Sequence, residues 1–144
     1  MIAKIIQGTD FNGVINYMLN KPDDKAKVLA ATGVRIASAN DIAHDFNLQA
    51  SMRPNVQKAV CHTALSFSVN DAERLTDAMM VKIADEYSEK MGYADTQSLI
   101  VRHCDRQHPH LHICINRIGN DGKIITDRNE KYRSIKICRE LTER

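Results

Sequence analysis

Residues 103–116 decide the fold, and they read HCDRQHPHLHICIN. Polar and apolar side chains alternate from His108 onward, which is the pattern of a half-buried β-strand. Successive side chains of a strand point to opposite faces of the sheet, so two sets can be separated. One face carries His108, His110, His112, Cys114 and Asn116, and the other carries Pro109, Leu111, Ile113 and Ile115. We expect the apolar face to pack against helices and the histidine face to carry chemistry.

The histidine face has the spacing of a metal site. Along a strand, His110 and His112 lie about 7 Å apart, near enough to bind one cation. His103 ends the preceding predicted strand, and the short link 104–107 would return the chain antiparallel beside it, which makes His103 a third ligand. Ordinary half-buried polar residues would explain one histidine, but four of the six fall in this segment. Three neutral imidazoles with open coordination positions predict a catalytic metal site.

The residue types also limit which metal can bind, and two neighbouring residues each have more than one possible role. Imidazoles favour Zn²⁺, Ni²⁺, Co²⁺ or Mn²⁺ by affinity, whereas phosphoryl chemistry and availability in cells favour Mg²⁺ or Mn²⁺. We therefore predict a divalent cation, Mg²⁺ or Mn²⁺, with Zn²⁺, Ni²⁺ and Co²⁺ as alternatives. Asp105 could orient a ligand imidazole, accept a proton or simply form a turn. Asn116 could hold a phosphate or a base, or tie down the hairpin.

The rest of the chain places strands and helices around this segment. Apolar alternation and capping residues predict strands at 2–6, 28–34, 60–68, 96–103 and 108–118, and helices at 10–20, 38–52 and 132–141. The longest helix is expected to follow a cap at Asn70 and to continue for about 21 residues until Gly92. This order predicts an α+β fold, a two-layer sandwich in which helices pack on one face of a mainly antiparallel five-stranded sheet.

Length and composition limit the class of protein. The 144 residues suit one compact domain, and 43% hydrophobic with 26% charged residues excludes a disordered tail or a collagen-like fibre. A net charge of +2 does not itself indicate a nucleic-acid partner, so any basic surface must be local. No apolar run reaches the roughly 20 residues of a membrane span, and no signal-peptide pattern opens the chain, so a cytoplasmic location is predicted. The four cysteines form no CxxC pair and are expected to be reduced core residues.

Three segments together resemble the HUH endonucleases and, within them, the conjugative or mobilization relaxases with a MobA-like nuclease domain. The matching segments are His103-Cys104-Asp105 through His108-Pro109-His110-Leu111-His112 to Asn116, then Thr63-Ala64-Leu65-Ser66-Phe67, and Asn16-Tyr17-Met18-Leu19. Relaxases of this type place the nucleophilic tyrosine before the histidine strand, whereas replication initiators of the superfamily usually place it after. The resemblance covers nearly the whole chain, and we expect residues 1–144 to be a single nuclease domain at the N-terminal part of a longer protein.

The resemblance implies that the chain nicks and rejoins one DNA strand at the origin of transfer of a plasmid or conjugative element. Tyr17, which lies off the apolar stripe of its predicted helix, would attack a phosphodiester and retain the 5′ phosphate as a phosphotyrosine. His103, His110 and His112 would hold the divalent cation. A tyrosine hydroxyl is a weak nucleophile at neutral pH, so its attack benefits from a nearby metal or base.

Five further residues are expected near the DNA or the reacting atoms: Ser66, Asp105, His108, Asn116 and Lys21. Ser66 matches a family serine associated with DNA contact near the nick, and Asp105 matches a recurrent acidic position and is expected to be catalytic. His108 stands where many relatives have Asn, so its contact with metal, phosphate or neither stays open. Lys21 belongs to a basic group beside Tyr17 that either contacts DNA or forms a solvated face. The implied partners are single-stranded DNA at the transfer origin, accessory mobilization proteins and a coupling protein.

Three other functions compete with this interpretation. The run HPHLH also matches the HxHxH of histidine-triad nucleotide hydrolases, which use a histidine nucleophile without metal and would leave Tyr17 and His103 without a role. A rolling-circle replication initiator or transposase of the same superfamily would share the chemistry and differ in its DNA substrate. A noncatalytic DNA-binding module would tolerate replacement of Tyr17 and of the histidines.

Overall fold

The computed structural model of the chain describes residues 1–21, 25–104 and 108–143. Five strands lie in these ranges: β1 Ile2–Gly8, β2 Ala26–Thr32, β3 Val60–Ser66, β4 Ser98–His103 and β5 His110–Asn116. Four α-helices accompany them: α1 Phe11–Leu19, α2 Ala39–Ala50, α3 Asp77–Lys90 and α4 Glu130–Thr142. The predicted α+β class is confirmed.

The strands form one antiparallel sheet in the order β1-β3-β5-β4-β2. The histidine strand β5 lies at its centre. On one side, β4 places His103 opposite His110. On the other side, β3 places Ser66 opposite His110 and Ala64 opposite His112. The predicted five-stranded sheet is therefore confirmed, and the segment that decided the prediction forms its middle.

Helices cover both faces of the sheet, which differs from the expected arrangement with helices on one face. Helices α1 and α2 pack against Leu99, Val101 and Cys114. Helices α3 and α4 pack against Ile100 and Ile113 on the opposite face. The physical reason is that β4 carries buried apolar side chains on both faces, Ile100 on one and Leu99 and Val101 on the other, and apolar surface on both sides has to be covered on both sides. His103 and His112 lie on the α1 face of the sheet, beside the C-terminal end of α1, where Met18 and Tyr17 contact them.

The long helix expected after Asn70 is divided. Val69–Asp71 form a short 3-10 helix, and α3 begins only at Asp77. Thr76 caps α3, because its Oγ1 accepts a hydrogen bond from the Met79 backbone N–H at 3.1 Å, and such a cap marks the start of a helix. The capping pattern at Asn70 therefore belongs to a separate turn. Among the described helices, none is both long and apolar enough to cross a lipid bilayer.

The cysteines follow the prediction with one exception. Cys61, Cys114 and Cys138 are buried, Cys104 is exposed, and all four are free thiols. Cys104 departs from the expected burial because it follows the last residue of β4, where the chain leaves the sheet.

Candidate active site and metal centre

A cleft of about 320 Å³ opens on the α1 side of the sheet, where the histidines of β5 lie. Its lining comes from α1, the segment just after it and the four strands β1, β3, β4 and β5. The lining residues are Ile2, Lys4, Ile6, Tyr17, Lys21, His62, Ala64, Ser66, His103, His110 and His112. The structure therefore brings together in one cleft the predicted nucleophile, the three predicted metal ligands and two of the residues predicted to contact DNA.

His103, His110 and His112 form a compact group of potential metal ligands. One ring nitrogen of each lies within 4.8 Å of those of the other two, and all three side chains are buried. The pairing of β4 with β5 creates this arrangement, because His103 lies opposite His110 and His112 follows on the same face of β5. Three imidazoles are a donor set that suits a divalent transition metal, so the residues present fit Mn²⁺, Zn²⁺, Ni²⁺ or Co²⁺ among the predicted cations better than Mg²⁺, which prefers oxygen ligands.

Hydrogen bonds to the backbone orient two of these rings. The Nε2 atom of His103 lies 2.7 Å from the Met18 carbonyl oxygen. A carbonyl oxygen only accepts, so His103 Nε2–H donates, and Nδ1 of the neutral ring carries the lone pair that a metal requires. His110 Nδ1 lies 3.4 Å from the carbonyl oxygen of His108, a longer contact of the same kind. The contact of His103 also ties α1, which carries Tyr17, to the ligand group.

His62 is a residue of the cleft that the sequence analysis did not select. Its Nε2 lies 2.8 Å from Nδ1 of His112, and the two ring centroids are 5.0 Å apart. The alternation of β3 places His62 on the same face as Ser66. That signal was present in the sequence, but the pairing of β3 with β5, which brings His62 to His112, was not.

Tyr17 stands over the histidine group. It is 51% exposed, as its position off the apolar stripe of α1 predicts. The centroid of its ring lies 5.7 Å from that of His112, 5.8 Å from that of His62 and 6.2 Å from that of His103, all with the rings edge-on. The Nζ atom of Lys21 lies 4.8 Å from the Tyr17 ring centroid. Tyr17 is thus exposed to solvent on one side and contacts the buried imidazoles on the other.

Three predicted site residues lie elsewhere or outside the described residues. Asn116 is fully buried beyond the cleft, where its Nδ2 donates to the Phe46 carbonyl at 3.0 Å and to Gln97 Oε1 at 2.9 Å. Asn116 therefore holds the sheet to α2 and offers no atom to DNA, because its polar groups are occupied inside the core. His108 is exposed and does not line the cleft. Asp105 falls outside the described residues.

Burial sets the protonation state of two histidines. Burial, and next the nearby His103, lowers the pKa of His112 from the ordinary value of 6.5 to about 3. The same two causes lower the pKa of His62. Both rings are therefore neutral near pH 7, which is the state in which an imidazole can bind a metal.

The low pKa of His112 predicts acid sensitivity of the metal-free domain. Between pH 6.5 and about 3 the unfolded chain binds a proton at His112 that the folded domain does not, so the free energy of unfolding falls as the pH drops, by up to about 1 kcal/mol per pH unit. Urea denaturation in EDTA at pH 7.5, 6.5 and 5.5 measures this slope. In His112→Gln the free energy of unfolding should depend less on pH than in the wild type. Equal slopes in the two proteins would contradict a lowered pKa of His112 in the folded domain.

Comparison with known proteins identifies one family. The family model described as "Relaxase: MobA/VirD2-like, nuclease domain" matches residues 17–144. No curated protein matches the chain. The matched range contains Tyr17, Lys21, Ser66 and all the histidines of the cleft, whereas the cleft residues of β1 lie before it.

Proposed function

This chain belongs to the MobA/VirD2-like family of relaxase nuclease domains, and we propose that it nicks and rejoins one DNA strand at the origin of transfer of a plasmid or conjugative element. Family membership itself supports DNA nicking in general. The specific proposal is a covalent 5′-phosphotyrosine intermediate formed with the help of a divalent metal ion. The observation that carries it is the packing of the exposed Tyr17 ring against the buried imidazoles of His103 and His112, within 6.2 Å of both ring centroids.

Tyr17 is proposed to be the nucleophile. Its Oη attacks the scissile phosphorus, a bond forms between Oη and phosphorus, and the bond from phosphorus to the 3′ oxygen breaks. The tyrosine loses its hydroxyl proton and the departing 3′ oxygen gains one, so the step balances. The bond energy is kept in the phosphotyrosine, and a later attack by a 3′-hydroxyl can rejoin a strand. Asp105 is the proposed acceptor of the phenolic proton.

His103, His110 and His112 are proposed to hold the divalent cation. When bound there, the metal would act as a Lewis acid that stabilises charge developing on the phosphate oxygens. Each ligand ring must offer a lone pair. The hydrogen bond from His103 Nε2–H to the Met18 carbonyl keeps the hydrogen on Nε2 and so leaves the lone pair on Nδ1. Because Met18 follows Tyr17 directly, the same hydrogen bond fixes the end of α1 and so helps to position the nucleophile.

The walls of the cleft suit a single strand of DNA. Lys4 and Lys21 line it and can pair with phosphates on either side of the scissile bond. Ile2 and Ile6 flank Lys4 on the same side of β1, are exposed, and offer apolar surface to unstacked bases. Ser66, opposite His110 in the sheet, can donate a hydrogen bond to the strand near the nick. We propose that the protein acts on this strand in the cytoplasm, together with accessory mobilization proteins and a coupling protein.

The competing functions assign the chemistry differently. A histidine-triad hydrolase would use a histidine nucleophile and would not need Tyr17, whereas here Tyr17 packs on the histidine group. A replication initiator or transposase would use the same atoms on another DNA substrate, and the family match favours the relaxase. A noncatalytic binding module would form no covalent product.

The proposal is tested with single-stranded oligonucleotides from the presumed origin of transfer, labelled at the 5′ end in one set and at the 3′ end in another. With Mn²⁺, the 3′ label should move to a protein adduct on a denaturing gel, and the 5′ label should appear in a shorter free fragment. EDTA should prevent both. Free fragments without an adduct would contradict the phosphotyrosine, and an undiminished adduct in EDTA would contradict the role of the metal.

A further inference from the structure

We propose that His62 is a positioning residue that accepts a hydrogen bond from Nδ1–H of His112 and thereby presents Nε2 of His112 to the cation. This proposal deepens the metal site and rests on the proposed function in that it requires His112 to be a ligand. It assigns a role to a residue of β3 that lies outside the three-histidine group.

The distance between the two rings supports a real hydrogen bond. His62 Nε2 and His112 Nδ1 are 2.8 Å apart, so one of these nitrogens carries a hydrogen and the other a lone pair. If His112 binds a metal through Nε2, that atom must hold the lone pair and Nδ1 must carry the hydrogen. His62 Nε2 is then the acceptor. A metal-binding histidine commonly donates its second N–H in this way, which fixes both the tautomer and the direction of the ring.

The register of the sheet explains why His62 reaches His112. Ala64 lies directly opposite His112 on β3, and its single methyl group leaves room above the ring. His62 lies one step further along the same face, opposite Cys114, and approaches His112 diagonally. Diagonal neighbours on paired strands lie within reach of long or aromatic side chains. A larger residue at position 64 would close this path.

The other two rings of the group show the same arrangement. His103 donates through Nε2 to the carbonyl of Met18, and His110 Nδ1 faces the carbonyl of His108. For His112 the corresponding atom is Nε2 of His62. Of these three acceptors, only His62 is a side chain, so only its contribution can be removed by substitution.

Two substitutions at position 62 separate the hydrogen bond from simple packing. His62→Leu keeps an apolar side chain on the strand but removes the acceptor, and we expect its affinity for Mn²⁺ to fall about 10- to 100-fold. His62→Gln offers an amide oxygen that can accept the hydrogen bond and should recover most of the affinity. His44→Gln, at an exposed histidine of α2, is the matched control and should bind like the wild type. Isothermal titration calorimetry with Mn²⁺ at pH 7.5 gives these values, and circular dichroism checks folding.

A second measurement needs no substitution and no metal. Long-range ¹H–¹⁵N correlation spectra of the metal-free wild type at pH 7.5 report which nitrogen of each histidine carries the hydrogen. For His112 we expect hydrogen on Nδ1 and a lone pair on Nε2. The opposite tautomer would overturn the proposal even if His62→Leu fails to fold.

The outcomes distinguish this inference from the proposed function. If the wild type forms the DNA adduct and binds Mn²⁺, but His62→Leu binds it equally well, the role of His62 is wrong and the relaxase function stands. Equal losses in His62→Leu and His62→Gln would also contradict the role, because they would show a need for the ring itself and not for an acceptor. If the wild type binds no Mn²⁺, both the metal site and this inference are wrong.

Discussion

The Tyr17→Phe protein is expected to form no covalent adduct with single-stranded DNA, while its affinity for the same DNA stays close to that of the wild type. The substitution removes one oxygen atom, the proposed nucleophile, and keeps the ring that packs against His62, His103 and His112. Without Oη no bond to phosphorus can form, so the loss should be complete and not partial. The 3′-labelled oligonucleotide on a denaturing gel measures the adduct, and fluorescence anisotropy measures DNA binding.

Tyr132→Phe provides the matched control for this experiment. Tyr132 lies on α4, on the other side of the sheet, and is 73% exposed. Its loss should leave the adduct unchanged. An adduct that persists in Tyr17→Phe would contradict the assignment of the nucleophile. A loss of DNA affinity equal to the loss of adduct would indicate that Tyr17 binds DNA and does not attack it.

The His110→Ala protein is expected to lose most of its metal affinity and most of its nicking activity. Removing one of three ligands should weaken Mn²⁺ binding beyond the roughly 100-fold that loss of a supporting hydrogen bond can cost. Lewis-acid stabilisation is worth several kcal/mol, which corresponds to about a thousandfold in the rate of adduct formation. Calorimetry with Mn²⁺ gives the affinity, and the initial rate of adduct formation gives the activity.

His108→Ala is the matched control for His110→Ala, since it lies two residues away on the same segment. Its side chain is exposed, and its backbone carbonyl oxygen lies 3.4 Å from Nδ1 of His110. Alanine keeps that carbonyl, so metal affinity should be unchanged. Equal losses of affinity in both variants would show that the segment, and not the His110 ring, determines binding. Unchanged affinity in His110→Ala would contradict its place among the ligands.

Local patterns predicted the parts of the site that come from neighbouring elements. The alternation of residues 108–116 identified the face of His110 and His112, and the short link before it brought His103 alongside. The apolar stripe of α1 left Tyr17 exposed. These predictions succeeded because strand alternation, helix periodicity and hairpin pairing depend on residues close together in the chain.

Contacts between distant segments could not be predicted in the same way. His62 and His112 are 50 residues apart in sequence, and their hydrogen bond exists only because β3 pairs with β5. The Met18 carbonyl that orients His103 is 85 residues away from it. Asn116 shared the histidine face in the sequence, but α2 covers it in the fold and takes up its amide. Strand order and helix placement depend on how the whole core is buried, and the pattern of a single segment does not predict this.

The sequence by itself determined the α+β class, the three-histidine group, the exposed tyrosine and the resemblance to relaxases, because these follow from short-range spacing. Only the tertiary structure decided that helices cover both faces, that Asn116 is part of the core, and that His62 lies within hydrogen-bond distance of His112. These depend on which strands become neighbours and which apolar surfaces remain to be covered, and both are properties of the folded chain as a whole.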